Sequence, residues 1–303
     1  MHFKNLKNRK AVLTVLGCMF TISAVVCGIL FGVSYVKHKN AVADADAQVE
    51  RADNIRDQMV TQPEESAAPG GDTDDSDPDA SDGDIDGTSE VLSKYDIGQM
   101  EHHRDENLRE RINFGKLDEL IANEDVHSWL YLPDTPVDYL VMQGDEEEPL
   151  KYLWKDIYGD DSKTGSLFVR ADDDTNDDHM VIYGHRLKDH SVYFGPLLEF
   201  RDTDYADAHK YAYTYDRSKA TKWELVYAVE GDESDPVYMY PYEKNSDEWR
   251  YLDEDIKNRA FWTNGQIGAE DNMLVLSTCS GPSVGMPQRL YLVYRDVCFW
   301  EYE

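Results

Sequence analysis

Residues 273–294 read MLVLSTCSGPSVGMPQRLYLVY. An apolar run ends in Ser-Thr-Cys, a polar segment rich in glycine and proline follows, and a second apolar run starts at Leu290. Short runs of aliphatic, β-branched and aromatic residues mark strands, and glycine and proline mark turns, so this stretch reads strand, loop, strand. Working outward, similar runs lie at Trp129–Leu132, Val137–Met142, Ser166–Val169, Met180–Tyr183, Tyr211–Tyr215 and Trp223–Val229, which with Met273–Leu276 and Leu290–Val293 make eight. Eight short strands at irregular spacing predict a mostly β domain closed, or nearly closed, into a barrel. Two segments carry a helical period instead. MEHHRDENLRERINFGKLDELIANEDVHSWL, 100–130, puts Leu117, Leu120 and Ile121 on one face. EKNSDEWRYLDEDIKNRAFW, 243–262, repeats Trp249, Leu252, Ile256 and Ala260 at steps of three and four, an amphipathic helix between two strands.

The rest of the chain sets this domain in context. Residues 1–10 hold Lys4, Lys7, Arg9 and Lys10 and no acid; residues 11–36 have no charged side chain. As a helix the latter would rise about 39 Å, enough to cross a hydrocarbon core of about 30 Å. A cleaved signal peptide is the alternative, but its apolar region is usually only about 7–15 residues long. The reading is a cytoplasmic basic N-terminus at 1–10, a transmembrane anchor at 11–36, and everything beyond outside the cytoplasm. Residues 37–98 read as an acidic, disordered linker: from Gln62 to Glu90 there are eleven acids and no Lys or Arg. DTDDSDPDASDGDIDG superficially matches a calcium loop, but no Glu stands at the twelfth position. Residues 99–303 are left as one folded domain. The whole chain carries 30 basic and 61 acidic residues, a net charge of −31, which disfavours nucleic acid as a partner. Four cysteines are too few for a disulfide scaffold. No metal constellation is visible, the acids at Asp172–Asp174 and Asp177–Asp178 reading as a solvated loop, and no cofactor is implied.

Chemistry concentrates at strand ends. Cys279 closes the run MLVLSTC and meets the loop at once, so it is held rigidly yet can reach solvent, as a nucleophile must. Cys298, in VYRDVCFWEYE, reads as structural. A thiol with its ordinary pKa of about 8.5 needs an imidazole or a cation to react at neutral pH. Of the histidines after residue 98, His102, His103 and His127 read as solvated positions in or near the leading helical piece, His179 precedes a strand in an acidic stretch, and His190 and His209 sit among charges. His185 differs: it closes HMVIYGH and follows Gly184, where the backbone can bend or be closely approached. Arg289 begins the strand just past the loop, where a fixed charge could favour a thiolate or hold an oxyanion.

VIYGH at 181–185, LSTC at 276–279 and Arg289 together resemble the catalytic pattern of sortases. NEDVHSWLYLPDTPVDYLVMQG, TGSLFVRADD and GHRLKDHSVYFGPLLEFRD resemble the family's flanking segments, and the helix at 246–260 is similar to the extra helix before the cysteine strand that marks class B. The resemblance spans roughly residues 105–300. It implies an eight-stranded sortase-type barrel with N-terminal helices, and a membrane-anchored cysteine transpeptidase on a Gram-positive cell surface. Such enzymes cut a C-terminal sorting motif in a secreted protein and join the acyl group, through a thioester, to an amine of the cell wall or, in pilin assembly, to a lysine. The resemblance assigns Cys279 as nucleophile, His185 as general acid/base, Arg289 as stabiliser of substrate and oxyanion, and Ser277 and Thr278 as lining of the substrate groove. The family's TLSTC stands here as Val275-Leu-Ser-Thr-Cys, and the Asn that often precedes a Tyr-Leu pair in class B is absent from EEEPLKYL, which has Pro149 near that place.

Other classes fit less well. Papain-like proteases place Cys before His, the reverse of the order here. L,D-transpeptidases usually carry Arg two residues after the Cys, where this chain has Gly281. A non-catalytic surface interaction module is the reading from a different class.

Overall fold

The computed structural model describes residues 112–302 apart from 175–176, 187–191, 240–241 and 282–285, together with helical positions at Lys39, Ala43, Ala47, Glu50, Arg51, Asn54 and Ile55. The expected anchor at 11–36, the acidic run from 62 to 90, and His102, His103 and His190 lie outside the described residues. Among the described residues, no helix is long and apolar enough to cross a membrane.

Among the described residues, nine strands form one sheet: β1 Val126–Tyr131, β2 Asp138–Gln143, β3 Leu167–Val169, β4 His179–Tyr183, β5 Tyr211–Tyr215, β6 Lys219–Asp232, β7 Ala260–Thr263, β8 Met273–Cys279 and β9 Gln288–Glu301. Their order is β5-β1-β2-β3-β4-β8-β9-β6-β7, and β5 also pairs with β6. That second pairing closes eight strands into a barrel and leaves β7 as an appendage on β6. Closure removes the exposed edges that an open sheet of short strands would present.

The eight runs read from the sequence are the eight barrel strands. β7 has no counterpart among them, because Ala260 continues the helical period of the segment before it. Its backbone is extended instead (φ −64°, ψ 132°), and Phe261, Trp262 and Thr263 run with it along β6.

Among the described residues the helices are few. α1 spans Phe114–Ile121, capped by Asn113, whose Oδ1 accepts from the Lys116 N–H at 3.0 Å. It buries Phe114, Leu117 and Ile121, whereas Leu120, expected on that face, is exposed. The helical reading of 100–130 fails from Val126 onward, where VHSWLY pairs with β2 and β5. His127, expected to be solvated, thus lies on a strand, with Nε2 buried and no hydrogen-bond partner among the described residues. Burial pulls its imidazole down to about 4. α2 spans Thr203–Ala208 and α3 Asp247–Arg259. α3 begins at Ser246, whose Oγ accepts from the Trp249 N–H at 3.0 Å, with acids in the first turn and bases in the last. Trp249, Leu252 and Ile256 are buried, as their spacing requires, against Val229, Val275 and Val293.

A second buried cluster joins α1 to Trp129, Tyr213 and Trp300 and includes Ile55. Arg51 pairs with Asp156 at 3.4 Å. Packed structure therefore reaches into the region expected to be linker, within the compact unit Val49–Glu303.

Candidate active site

Three adjacent strands set the site. β8 runs parallel to β4, with Tyr183 beside Ser277, and antiparallel to β9, with Ser277 opposite Tyr291 and Cys279 opposite Arg289. Side chains two residues apart share a face of a sheet. Val181 and Tyr183, Val275, and Tyr291 and Val293 all belong to the cluster under α3. Continuing the same alternation past the cover of the helix brings up His185, Cys279 and Arg289. Both strand ends singled out by their sequence thus share one face of the sheet with the arginine.

The three side chains line one cavity of about 550 Å³, together with Ser277 and Thr278. Leu153, Phe168, Tyr183 and Tyr238 form its apolar wall, and Arg170 and Glu233 add charge. Cys279 is half-buried, and no disulfide joins it to Cys298. Cys298 lies within β9 and packs against the barrel core.

His185 Nε2–H donates to the Leu153 carbonyl at 2.9 Å. Burial lowers its pKa below the ordinary 6.5, and the Leu153 bond opposes that shift. The resting imidazole is therefore mostly neutral at pH 7 and able to take a proton. Arg289 Nη2 pairs with Glu233 at 2.6 Å, and Nη1 donates to the Met286 and Gln288 carbonyls at 2.7 and 3.1 Å. These bonds hold the guanidinium at the head of β9.

The two substrate-groove candidates are engaged in different ways. Ser277 Oγ lies 2.8 Å from the Tyr238 hydroxyl. Burial pushes the Tyr238 phenol far above its ordinary pKa, so it remains a hydrogen-bonding hydroxyl. Thr278 Oγ1–H donates to the Gly184 carbonyl at 2.8 Å, while Gly184 N–H donates to the Ser277 carbonyl at 3.1 Å. Thr278 thereby ties the cysteine strand to the residue before His185. Arg186 Nη2 adds a bond to the Gly281 carbonyl at 2.6 Å, joining the loops that follow the histidine and the cysteine.

Gly184 is dictated by crowding: an added Cβ would stand 2.6 Å from Phe194 Cδ2, with Leu167 Cδ2 closer still. Tyr238 and Leu153 reach the cavity from short 3-10 turns at Pro236–Tyr238 and Lys151–Leu153, which carry no strand or helix period to reveal them. Tyr183 was legible in principle, since it stands two residues before His185 on the same strand face.

The solvated reading of the 172–178 acids needs correction at one position. Asp173 is buried, and desolvation first, with Asp172 second, raises its carboxyl to about 7. Among the described residues, no group of three His, Cys, Asp or Glu side chains is placed to hold a metal ion.

No family model matches the chain. It is 29% identical over 161 residues to sortase B of Listeria monocytogenes, covering 52% of this chain and 63% of that protein. The match therefore spans less than two thirds of the Listeria relative. Sortase B of Staphylococcus aureus is 22% identical over 177 residues, covering 58% and 71%. The crystal structure of S. aureus sortase B superposes with a TM-score of 0.55 at 20% identity, over 64% of this chain and 89% of that one. A closed eight-stranded barrel, a helix laid over the cysteine strand, and these sequence matches point the same way: the chain is similar in fold and in sequence to the class B sortases.

Proposed function

We propose that the protein is a cysteine transpeptidase that exchanges one amide partner for another. The observation that carries this reading is the shared cavity at the ends of β4, β8 and β9, onto which Cys279, His185 and Arg289 all open. The thiol proton of Cys279 passes to neutral His185, and the thiolate attacks the scissile carbonyl. Arg289 and backbone N–H groups hold the oxyanion. His185 returns the proton to the departing amine, leaving an acyl thioester on Cys279. An incoming amine attacks the thioester, loses a proton to His185, and the thiol is regenerated. Ser277 and Thr278 line the cavity beside the sulfur.

The donor is a secreted protein with a C-terminal sorting motif, and the acceptor an amine of the cell wall. One S. aureus sortase B structure is a substrate complex, and another sortase B is complexed with triglycine. Those structures support a bound substrate and an amine acceptor for this chain in general terms. Residues 11–36 anchor it to the membrane with the barrel on the outer side. Pilin polymerisation through a lysine acceptor uses the same chemistry.

The test is a peptide library offered with added amines and read by mass spectrometry, which identifies donor and acceptor together. The parent should form new amides, and His185→Ala and Arg289→Ala should each lower turnover by at least about tenfold. Turnover at the parent rate by Cys279→Ala would reject the reading.

A further inference from the structure

The histidine is gripped from one side by a single short turn. Lys151–Leu153 forms a 3-10 turn whose Tyr152 side chain is fully buried. The Tyr152 hydroxyl donates to Asp125 at 2.7 Å and accepts from Asn123 at 2.8 Å, and its carbonyl accepts from the Ser166 N–H at 2.9 Å. Lys151 pairs with the same Asp125 at 2.6 Å. The turn is thus fixed by the connection between α1 and β1 and by the segment leading into β3. Its last carbonyl, that of Leu153, meets His185 Nε2 at 2.9 Å. The next residue, Trp154, brings its ring to 5.2 Å from the imidazole, centroid to centroid, at an interplanar angle of 50°. Trp154 is 53% exposed, a large apolar side chain that the fold keeps at the surface beside the cavity.

A carbonyl oxygen accepts and never donates, so the contact requires the hydrogen on Nε2. The opposite tautomer would set a lone pair against the Leu153 oxygen and break the hydrogen bond between them. In the neutral ring the basic nitrogen is then Nδ1.

We propose that the Lys151–Trp154 turn is a positioning device for His185: Leu153 fixes the tautomer, Trp154 holds the ring plane, and Nδ1 becomes the nitrogen that carries the catalytic proton. The inference rests on the transpeptidase reading of His185. It adds two positioning residues, neither of which reacts. Trp154 also shields the Nε2 bond from water, which keeps the tautomer from scrambling while protons move at Nδ1.

The experiment uses the full chain labelled with ¹⁵N-histidine, with the His185 signals identified by their loss in His185→Gln. At neutral pH, Nε2 should give the shift of a protonated ring nitrogen and Nδ1 that of an unprotonated one. The reverse assignment, or an even mixture, overturns the proposal. In Trp154→Ala the Nε2–H proton should exchange with water about tenfold faster, and kcat for amide exchange should fall about tenfold with KM changed less than about twofold. Trp154→Phe should restore most of both. Parent-like exchange and kcat in Trp154→Ala would remove Trp154 from the device. The nitrogen shifts need no peptide. A chain with the stated tautomer that joins no peptide to any amine therefore refutes the transpeptidase reading and leaves the tautomer assignment standing.

Discussion

Asp173 shows how a single side chain can look solvated in sequence and be otherwise in the fold. It stands among acids, yet the turn after β3 buries it, and its carboxyl is raised to about 7 from 3.8. The folded state binds that proton more tightly than the unfolded chain. Its stabilisation is fully present below about pH 4 and is lost as pH rises toward 7. Asp173→Asn should therefore stabilise the protein at pH 8 by on the order of 2–4 kcal/mol and change little at pH 4. Urea unfolding at the two pH values checks this, and an equal effect at both would contradict the burial argument. His127 has the opposite sign: lowered to about 4, it contributes stability above pH 6.5 that fades as pH falls toward 4. At this scale the sequence singled out Cys279, His185 and Arg289, which line one cavity, because each stands at or just past the end of an apolar run; β4 itself stops at Tyr183, two residues before His185. It could not reveal Trp154 or Tyr238, which come from turns 31 and 53 residues away from His185.

Elements carry the next level of the account. β4 and β8 pair in parallel as far as Tyr183 and Ser277; just beyond, Gly184 has no side chain where Leu167 and Phe194 close in, and Thr278 bonds back to the Gly184 carbonyl. Gly184→Ala should cost about 1–3 kcal/mol, since the Cβ has no free volume and the neighbours must shift. The same shift moves His185, so turnover should fall further than the loss of folded protein explains. Thermal melts and activity on the same samples separate the two effects. An alanine variant with parental stability would show that the packing around Gly184 is looser than the contacts indicate. α3 was legible to the residue at Trp249, Leu252 and Ile256, because a 3.6-residue period sustained over three turns fits a helix and no strand. β7 was not, because four residues are too short to display a period of their own.

The whole molecule joins a highly acidic chain to a closed barrel. Closure itself was readable from eight short runs, but the strand order was not, since the pairing of β4 with β8 and of β1 with β5 depends on contacts that no local pattern encodes. Composition alone did not single out Ile55, which is buried in the cluster with Phe114 and Trp129 although the surrounding sequence is polar. Ile55→Ala should destabilise the folded unit by about 1–3 kcal/mol. A 99–303 fragment should likewise melt below a 49–303 fragment. Identical melting of the two fragments would mean that Ile55 contributes nothing to the barrel. The central claim is that Cys279, His185 and Arg289 work as one site through an acyl thioester. Its most direct test is the intact mass of the protein quenched during reaction with a cleaved peptide, followed by peptide mapping. The account predicts an added acyl fragment on Cys279, released by hydroxylamine and missing in Cys279→Ala. Peptide cleavage with no acyl group on Cys279, or with the group on another residue, would contradict it.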